Sequence, residues 1–183
     1  IPTMLSSKSE IEDNLEALEI RFLANREKNL HFSLLTDFTD SDSETTPNDQ
    51  TFLNLVSEGI QQLNERYNTH GQPDVFYLFH RPRKWNSKEG KWMGYERKRG
   101  KLSALNSLLR GKDKNDFSRI VGDYGDLKDI KHIIALDSDT QLPREAAWKL
   151  IATMAHPLNQ AVYDETKNRV VQGYGILQPR VAS

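Results

Sequence analysis

The hydrophobic positions change period several times along the chain, and each change marks an element. Ile1 to Leu5 has the apolar character of the tail of a strand. Ser9-Glu10-Ile11-Glu12 fits a capping box, with Ser9 at the N-cap and Glu12 reaching back. Ile11, Leu15, Leu18 and Phe22 follow at helical spacing and predict one buried stripe. Phe32 to Thr36 is a short apolar run of strand length, and the Ser/Asp/Glu/Thr/Pro/Asn composition of residues 40–50 is that of a loop. Phe52, Leu55, Val56, Ile60, Leu63 and Tyr67 predict a second amphipathic helix, broken at Gly71-Gln72-Pro73. Val75 to Phe79 reads as a fully buried strand. After a basic stretch, Leu102, Leu105 and Leu109 predict a helix ending at Gly111.

Residues 112–129 are polar and loop-rich. His132-Ile133-Ile134-Ala135-Leu136 is the clearest buried-strand signal of the chain, and it runs directly into Asp137-Ser138-Asp139. Pro143 suits the first turn of a helix carrying Ala147, Leu150, Ile151 and Met154, stopped by Pro157. Val170 to Leu177 predicts a last strand. Short apolar strands alternating with amphipathic helices indicate an α/β domain with a mostly parallel sheet covered on both faces.

Composition narrows the function classes. The 183 residues suit one domain, and 25 Lys+Arg against 26 Asp+Glu argue against a globally basic nucleic-acid binder. Without Cys there is no disulfide framework, thiolate metal site or Cys nucleophile. No apolar run approaches the roughly 20 residues of a membrane helix. The chain opens on Ile1-Pro2 and stops just after a strand-like stretch, so it reads as a piece of a longer polypeptide.

Ligands of open α/β sheets bind beyond the carboxyl ends of the strands. Two acidic clusters fall at such ends: Asp37/Asp40, and Asp137/Asp139. Carboxylates so placed invite a hard cation, Mg²⁺ or Mn²⁺, that takes carboxylate and phosphate oxygens together. The alternative is a solvated turn in which Asp139 caps the next helix. Between the clusters lie Arg81, Arg83, Lys84, Lys88, Lys91, Arg97, Lys98, Arg99 and Lys101, with Trp85, Trp92 and Tyr95 among them. That mixture suits a diphosphate clamp, an aromatic platform for a sugar or base, or a surface for single-stranded nucleic acid. A solvated basic loop is the remaining reading.

Other motifs fail on spacing. Gly94 and Gly100-Lys101 are separated by five residues rather than the four of a P-loop, and Leu102 replaces its Ser/Thr. The five His residues lack ligand spacing, no Gly-x-Ser-x-Gly elbow occurs, and Thr45 stands where a calcium loop turns on Gly. Asp137-Ser138-Asp139-Thr140 resembles the nucleophile strand of haloacid-dehalogenase-like phosphatases, but Gln141 departs from that pattern.

The ordered set of segments resembles the donor-binding half of processive, inverting GT-A glycosyltransferases: Thr36 to Asp40, then Lys101-Leu102-Ser103-Ala104-Leu105-Asn106, then Ile134 to Thr140. Phe79 to Asn86, Gly94 to Leu102, Leu136 to Pro143, Met154 to Asn159 and Gly173 to Val181 are similar to the glycosyltransferase segment of cyclic β-1,2-glucan synthases, glycosyltransferase family 84. The resemblance implies a truncated GT-A-like, Rossmann-like three-layer sandwich that binds UDP-glucose with Mg²⁺ or Mn²⁺. Asp37 would lie at the uracil or ribose, Asp40 within the donor site, Lys101 with Arg97 or Lys98 at the diphosphate, and Asp137 and Asp139 at the nucleotide sugar and metal, Asp139 as the direct ligand. Arg81 and Trp85 would shape the donor pocket. The general base and the Gln/Arg-x-x-Arg-Trp motif of these polymerases have no counterpart after Asp139: Gln178-Pro179-Arg180-Val181 differs, and Glu145, Asp164 and Glu165 lack the context. Donor binding without transfer is therefore expected of this chain. The implied parent is a multi-pass protein of the bacterial inner membrane with this part on the cytoplasmic face and a glucan acceptor on the parent itself.

Overall fold

The computed structural model describes residues 1–68, 73–112 and 115–179. Gly71 and Gln72 of the expected helix break, and Arg180 and Val181 of the last resemblance segment, lie outside the described residues.

Strand β1 (Pro2–Leu5), helix α1 (Lys8–Ala24), β2 (Phe32–Phe38), helix α2 (Asp49–Tyr67) and β3 (Phe76–Arg81) form two successive β-α-β units. β1 and β3 both pair in parallel with β2. Alternation along the central strands explains why the sheet is covered on two faces. Phe32 and Leu34 of β2, with Phe76 and Leu78 of β3, meet Ile11 and Leu18 of α1 and Leu53, Val56, Ile60 and Leu63 of α2. Leu35, Tyr77 and Phe79 point the other way, onto Leu105 and Leu108 of helix α3 (Arg97–Leu109) and onto Leu127 in the 3₁₀ turn Tyr124–Asp129. Burying each such side chain contributes roughly 1.5–3 kcal/mol, so these two clusters hold the sheet between its helices. The mixed α/β architecture with a mostly parallel sheet agrees with the sequence reading.

Four expectations are corrected. The cap of α1 is Ser7, whose hydroxyl accepts from the Glu10 amide, not Ser9. Ser7-Lys8-Ser9-Glu10 carries the same box spacing two residues earlier, and Ser7 has the extended backbone a cap requires, with φ −152° and ψ 163°. The fourth strand of the sheet is not His132–Leu136 but β6 (Arg119–Val121), from the stretch expected to be loop, and it pairs antiparallel with β3. Residues 132–136 join no strand, although their exposure alternates as in one. The free edge of β1 is poor at recruiting them, because Leu35 donates to the Ile1 carbonyl on the paired side and leaves Pro2, which has no N–H, facing outward. The expected strand Val170–Leu177 is shorter: β8 (Arg169–Gln172) pairs with β7 (Val162–Asp164) as an exposed hairpin. Finally, the helix after Pro143, α4 (Ala146–Ala155), starts beyond the proline, with Glu145 left-handed at φ 61° in front of it.

Candidate functional site

The carboxyl ends of β2 and β3 carry Asp37 and Arg81, which are register partners in the parallel ladder. The Arg81 guanidinium donates from Nε and Nη2 to the two oxygens of Asp37, both at 2.9 Å. Nη2 also donates to the carbonyls of Tyr95 and Arg97, at 3.1 and 3.2 Å, which fixes the chain entering α3. Lys101, on the first turns of α3, donates to the Thr3 carbonyl at 2.6 Å and stands 3.4 Å from Asp37. All three side chains are buried, at 8 % exposure or less. Burial pushes the Lys101 ammonium below its ordinary pKa, and the Asp37 carboxylate opposes that shift. Lys101 thus points inward, onto the Thr3 carbonyl and Asp37, and not towards the surface.

Two glycines make this packing possible. A Cβ on Gly94 would stand 2.1 Å from an Asp37 oxygen, and one on Gly100 would stand 2.0 Å from the Tyr95 carbonyl. Between them the chain turns from a short hairpin, β4 (Lys84–Asn86) and β5 (Lys91–Met93), into α3. Glu96 and Arg97 make that turn in left-handed backbone, φ 54° and 50°, a conformation that costs non-glycine residues about 1–2 kcal/mol each. The glycines of the failed P-loop match are there for close approach to Asp37 and Arg81, not for phosphate.

Above this buried layer lies an exposed one. Arg97 donates to Asp40 at 3.0 Å and to Glu89 of the hairpin turn at 3.1 Å. Lys98 pairs with Asp137. The Asp137–Thr140 turn is closed by the Thr140 amide donating to the Asp137 carbonyl, and Asp137 and Asp139 are both exposed. What holds the turn was not read from the sequence. Arg21 of α1, 6 % exposed, donates to the carbonyls of Ser138 and Thr140 at 2.8 and 2.6 Å. Asn25, one helical turn on, donates to Leu142 and accepts from the Ala147 amide. Burial lowers the Arg21 pKa, and the Asp139 charge counters it. The available signal was Asn14, Leu18, Arg21 and Asn25 spaced by four, three and four, a stripe with three polar members that are all buried.

The basic stretch is largely neutralised from within. Arg83 grips Asp49 through two hydrogen bonds of 2.5 and 3.0 Å and lies over the Phe38 ring. Lys84 pairs with Asp116, Lys91 with Asp42, and Arg99 with Glu96. Eight of its nine cations therefore sit within ion-pair distance of a carboxylate. Counterion release on a polyanion requires cations free to replace counterions, so this pairing weighs against a nucleic-acid surface. Trp85 stands on the hairpin, 53 % exposed, beside its cross-strand partner Trp92.

Asp164, one of the acids without sequence context, is occupied in its hairpin turn by Thr166 and Lys167, and those hydrogen bonds hold its pKa below the usual carboxylate range. His80, on β3, is fully buried; its Nδ1 lies 2.8 Å from the Thr36 hydroxyl and its Nε2 has no partner among the described residues. Burial lowers its pKa to about 3. A cavity of about 320 Å³ opens over Arg81, Lys84, Tyr95 and Gly100, whereas one of about 920 Å³ lies at the far end of α3, away from the carboxylates. Among the described residues no three His, Asp or Glu side chains group as a metal cage. Asp137 and Asp139 are two exposed carboxylates with one residue between them, and Asp137 is already paired with Lys98. No helix among the described residues is long and apolar enough to cross a membrane.

The assembled site is a mixed-charge cluster at the carboxyl end of a mostly parallel sheet, the location at which α/β proteins hold phosphorylated ligands. Over 181 residues, 99 % of its length, the chain is 40 % identical to the cyclic beta-(1,2)-glucan synthase NdvB of Rhizobium meliloti (strain 1021). It spans only 6 % of that much larger protein. No family model matches the chain.

Proposed function

We propose that the chain is the donor-binding part of a GT-A-type, inverting glucosyltransferase, of glycosyltransferase family 84, that builds β-1,2-glucan from UDP-glucose. The observation that carries this reading is the 40 % identity to a cyclic beta-(1,2)-glucan synthase across nearly the whole chain. The cluster at the carboxyl end of the sheet supports it. Asp137 and Asp139 would hold Mg²⁺ or Mn²⁺, which when bound neutralises charge building on the departing diphosphate. Arg97 and Lys98, exposed at the start of α3, would exchange Asp40, Glu89 and Asp137 for the phosphates, which also frees Asp137 for the metal. Asp40 would border the donor, with Asp37, held by Arg81 and Lys101, in the buried layer beneath it. Trp85 stands at the rim. The acceptor is a growing glucan on the parent protein, and its activating base comes from outside these residues. In this reading the parent is anchored in the bacterial inner membrane with the site on the cytoplasmic side.

Thermal unfolding of the chain with UDP-glucose tests it. A ligand that binds only the folded state at about 100 times its Kd adds about 2.7 kcal/mol of stability, so the midpoint rises with Mn²⁺ present. A midpoint unmoved by UDP-glucose and Mn²⁺ at millimolar concentration would count against the reading.

A further inference from the structure

We infer that the outer face of the β4–β5 hairpin is a stacking platform for the pyranose rings of a neutral glucan chain, lying beside the donor site. The inference rests on the glucan-synthesis reading above and adds a second, separate site to it. Trp85 and Trp92 are directly opposed across the hairpin, with ring centroids 5.9 Å apart and planes tilted by 59°. Successive residues of a strand face opposite ways, and the neighbouring pair position puts Met93 on the inner side, buried at 2 % exposure. Trp85 therefore lies open on the side away from the body, 53 % exposed, with the partly covered Trp92 ring beside it.

The hairpin is also held in place rather than left to move. Ser41 and Trp92 exchange two backbone hydrogen bonds of 2.9 and 2.8 Å, which joins β5 to the loop that follows Asp40. Arg97 ties the hairpin turn to Asp40 through Glu89. A rigid aromatic surface loses little entropy on binding, which is what a weakly interacting, repetitive ligand needs.

Charge selects the occupant. The strand neighbours of the indoles, Lys84 and Lys91, fall on the opposite face with Met93 and are each paired with an acid, at 3.0 and 2.9 Å, so the indole face itself carries no strand cation. A polyanion would find few unpaired charges to answer it, whereas a neutral sugar presents C–H faces to the rings and hydroxyls to the polar rim. The platform lies outside the carboxylate cluster, so its occupant is a chain of several sugars and not the donor's single glucosyl unit.

The three tryptophans allow a direct test. Replacing the exposed Trp148 of α4 by Phe leaves Trp85 and Trp92 as the fluorescent reporters. Titration of the full chain bearing Trp148→Phe with a linear β-1,2-linked glucose pentamer should give a saturable change in emission. Adding Trp85→Ala should weaken that binding about tenfold or more, a loss of roughly 1.4 kcal/mol, with near-ultraviolet circular dichroism reporting an intact fold. No saturable change in the folded chain, equal affinity after Trp85→Ala, or tighter binding of an oligothymidylate than of the pentamer would each overturn the platform. UDP-glucose binding is read separately by calorimetry, so its persistence when the pentamer fails would remove the platform and leave the donor reading standing.

Discussion

Asp37 and Arg81 end two adjacent parallel strands at the same register position and close on each other through two 2.9 Å hydrogen bonds beneath the candidate site. The pair fixes β2, β3 and the chain entering α3 in one arrangement. Such a pair costs desolvation that its attraction offsets, so its contribution shows when one partner is removed.

Arg81→Met should therefore destabilise the protein by about 3–5 kcal/mol in denaturant unfolding, towards the lower figure because Lys101 still faces Asp37. Replacing all three, Asp37→Leu with Arg81→Met and Lys101→Met, should recover most of that loss. A single Arg81→Met variant as stable as the parent would show that the pair does not organise the strand ends.

Gly94→Ala is expected to be costly for its size. The added methyl would lie 2.1 Å from the Asp37 carboxylate, and displacing a held side chain costs typically about 1–3 kcal/mol. Gly90→Ala is a control for crowding, since a Cβ at Gly90 has nothing within 4 Å and only its positive φ of 63° resists. Unfolding midpoints of the two variants check this; a Gly94→Ala loss no larger than that of Gly90→Ala would contradict the close approach.

His80 sets a pH dependence. Its folded pKa is about 3 against an ordinary value of 6.5, so between those values the unfolded state binds the extra proton. The His80 contribution is then full above about pH 6.5 and falls as the pH drops through the window, by up to about 1.4 kcal/mol per unit. Between pH 6 and 5, where few carboxylates titrate, His80→Gln should flatten the slope seen in the parent. Parallel slopes for the two proteins would place the titration elsewhere.

Arg21 holds the Asp137–Thr140 turn by its carbonyls, so Arg21→Leu should free the turn without unfolding the sheet. Amide hydrogen exchange at residues 138–142 is expected to rise at least tenfold while β2 and β3 stay protected. Unchanged exchange in the turn would show that Asn25 and the backbone suffice.

Much of this architecture is legible in the sequence wherever apolar residues repeat at one period for long enough. The α1 stripe through Ile11 and Leu18, the α2 stripe through Val56 and Ile60, and the doubly buried runs of β2 and β3 follow from spacing alone. Three-residue strands such as β6 carry too few positions to show a period. The run His132 to Leu136 misleads because strand propensity does not supply a partner, and Pro2 faces the edge where that partner would be. The candidate site was legible as charges and not as pairs: Asp37, Arg81 and Lys101 stand out in the sequence, yet their burial and mutual contact depend on strand register and on two glycines. Arg21 shows in the sequence only as part of the Asn14, Leu18 and Asn25 stripe, because an arginine on a helix ordinarily reads as solvent-facing.

In the proposed reading, this cluster binds a nucleotide sugar through a metal at Asp137 and Asp139. Calorimetric titration of UDP-glucose into the chain, with Mn²⁺ and then with EDTA, for the parent and for Asp139→Asn, checks that dependence. Asp139 is exposed, so its replacement leaves the core untouched. Binding that requires Mn²⁺ and is lost in Asp139→Asn, with unchanged circular dichroism, is the predicted result. Equal affinity in the variant, or binding indifferent to EDTA, would contradict it.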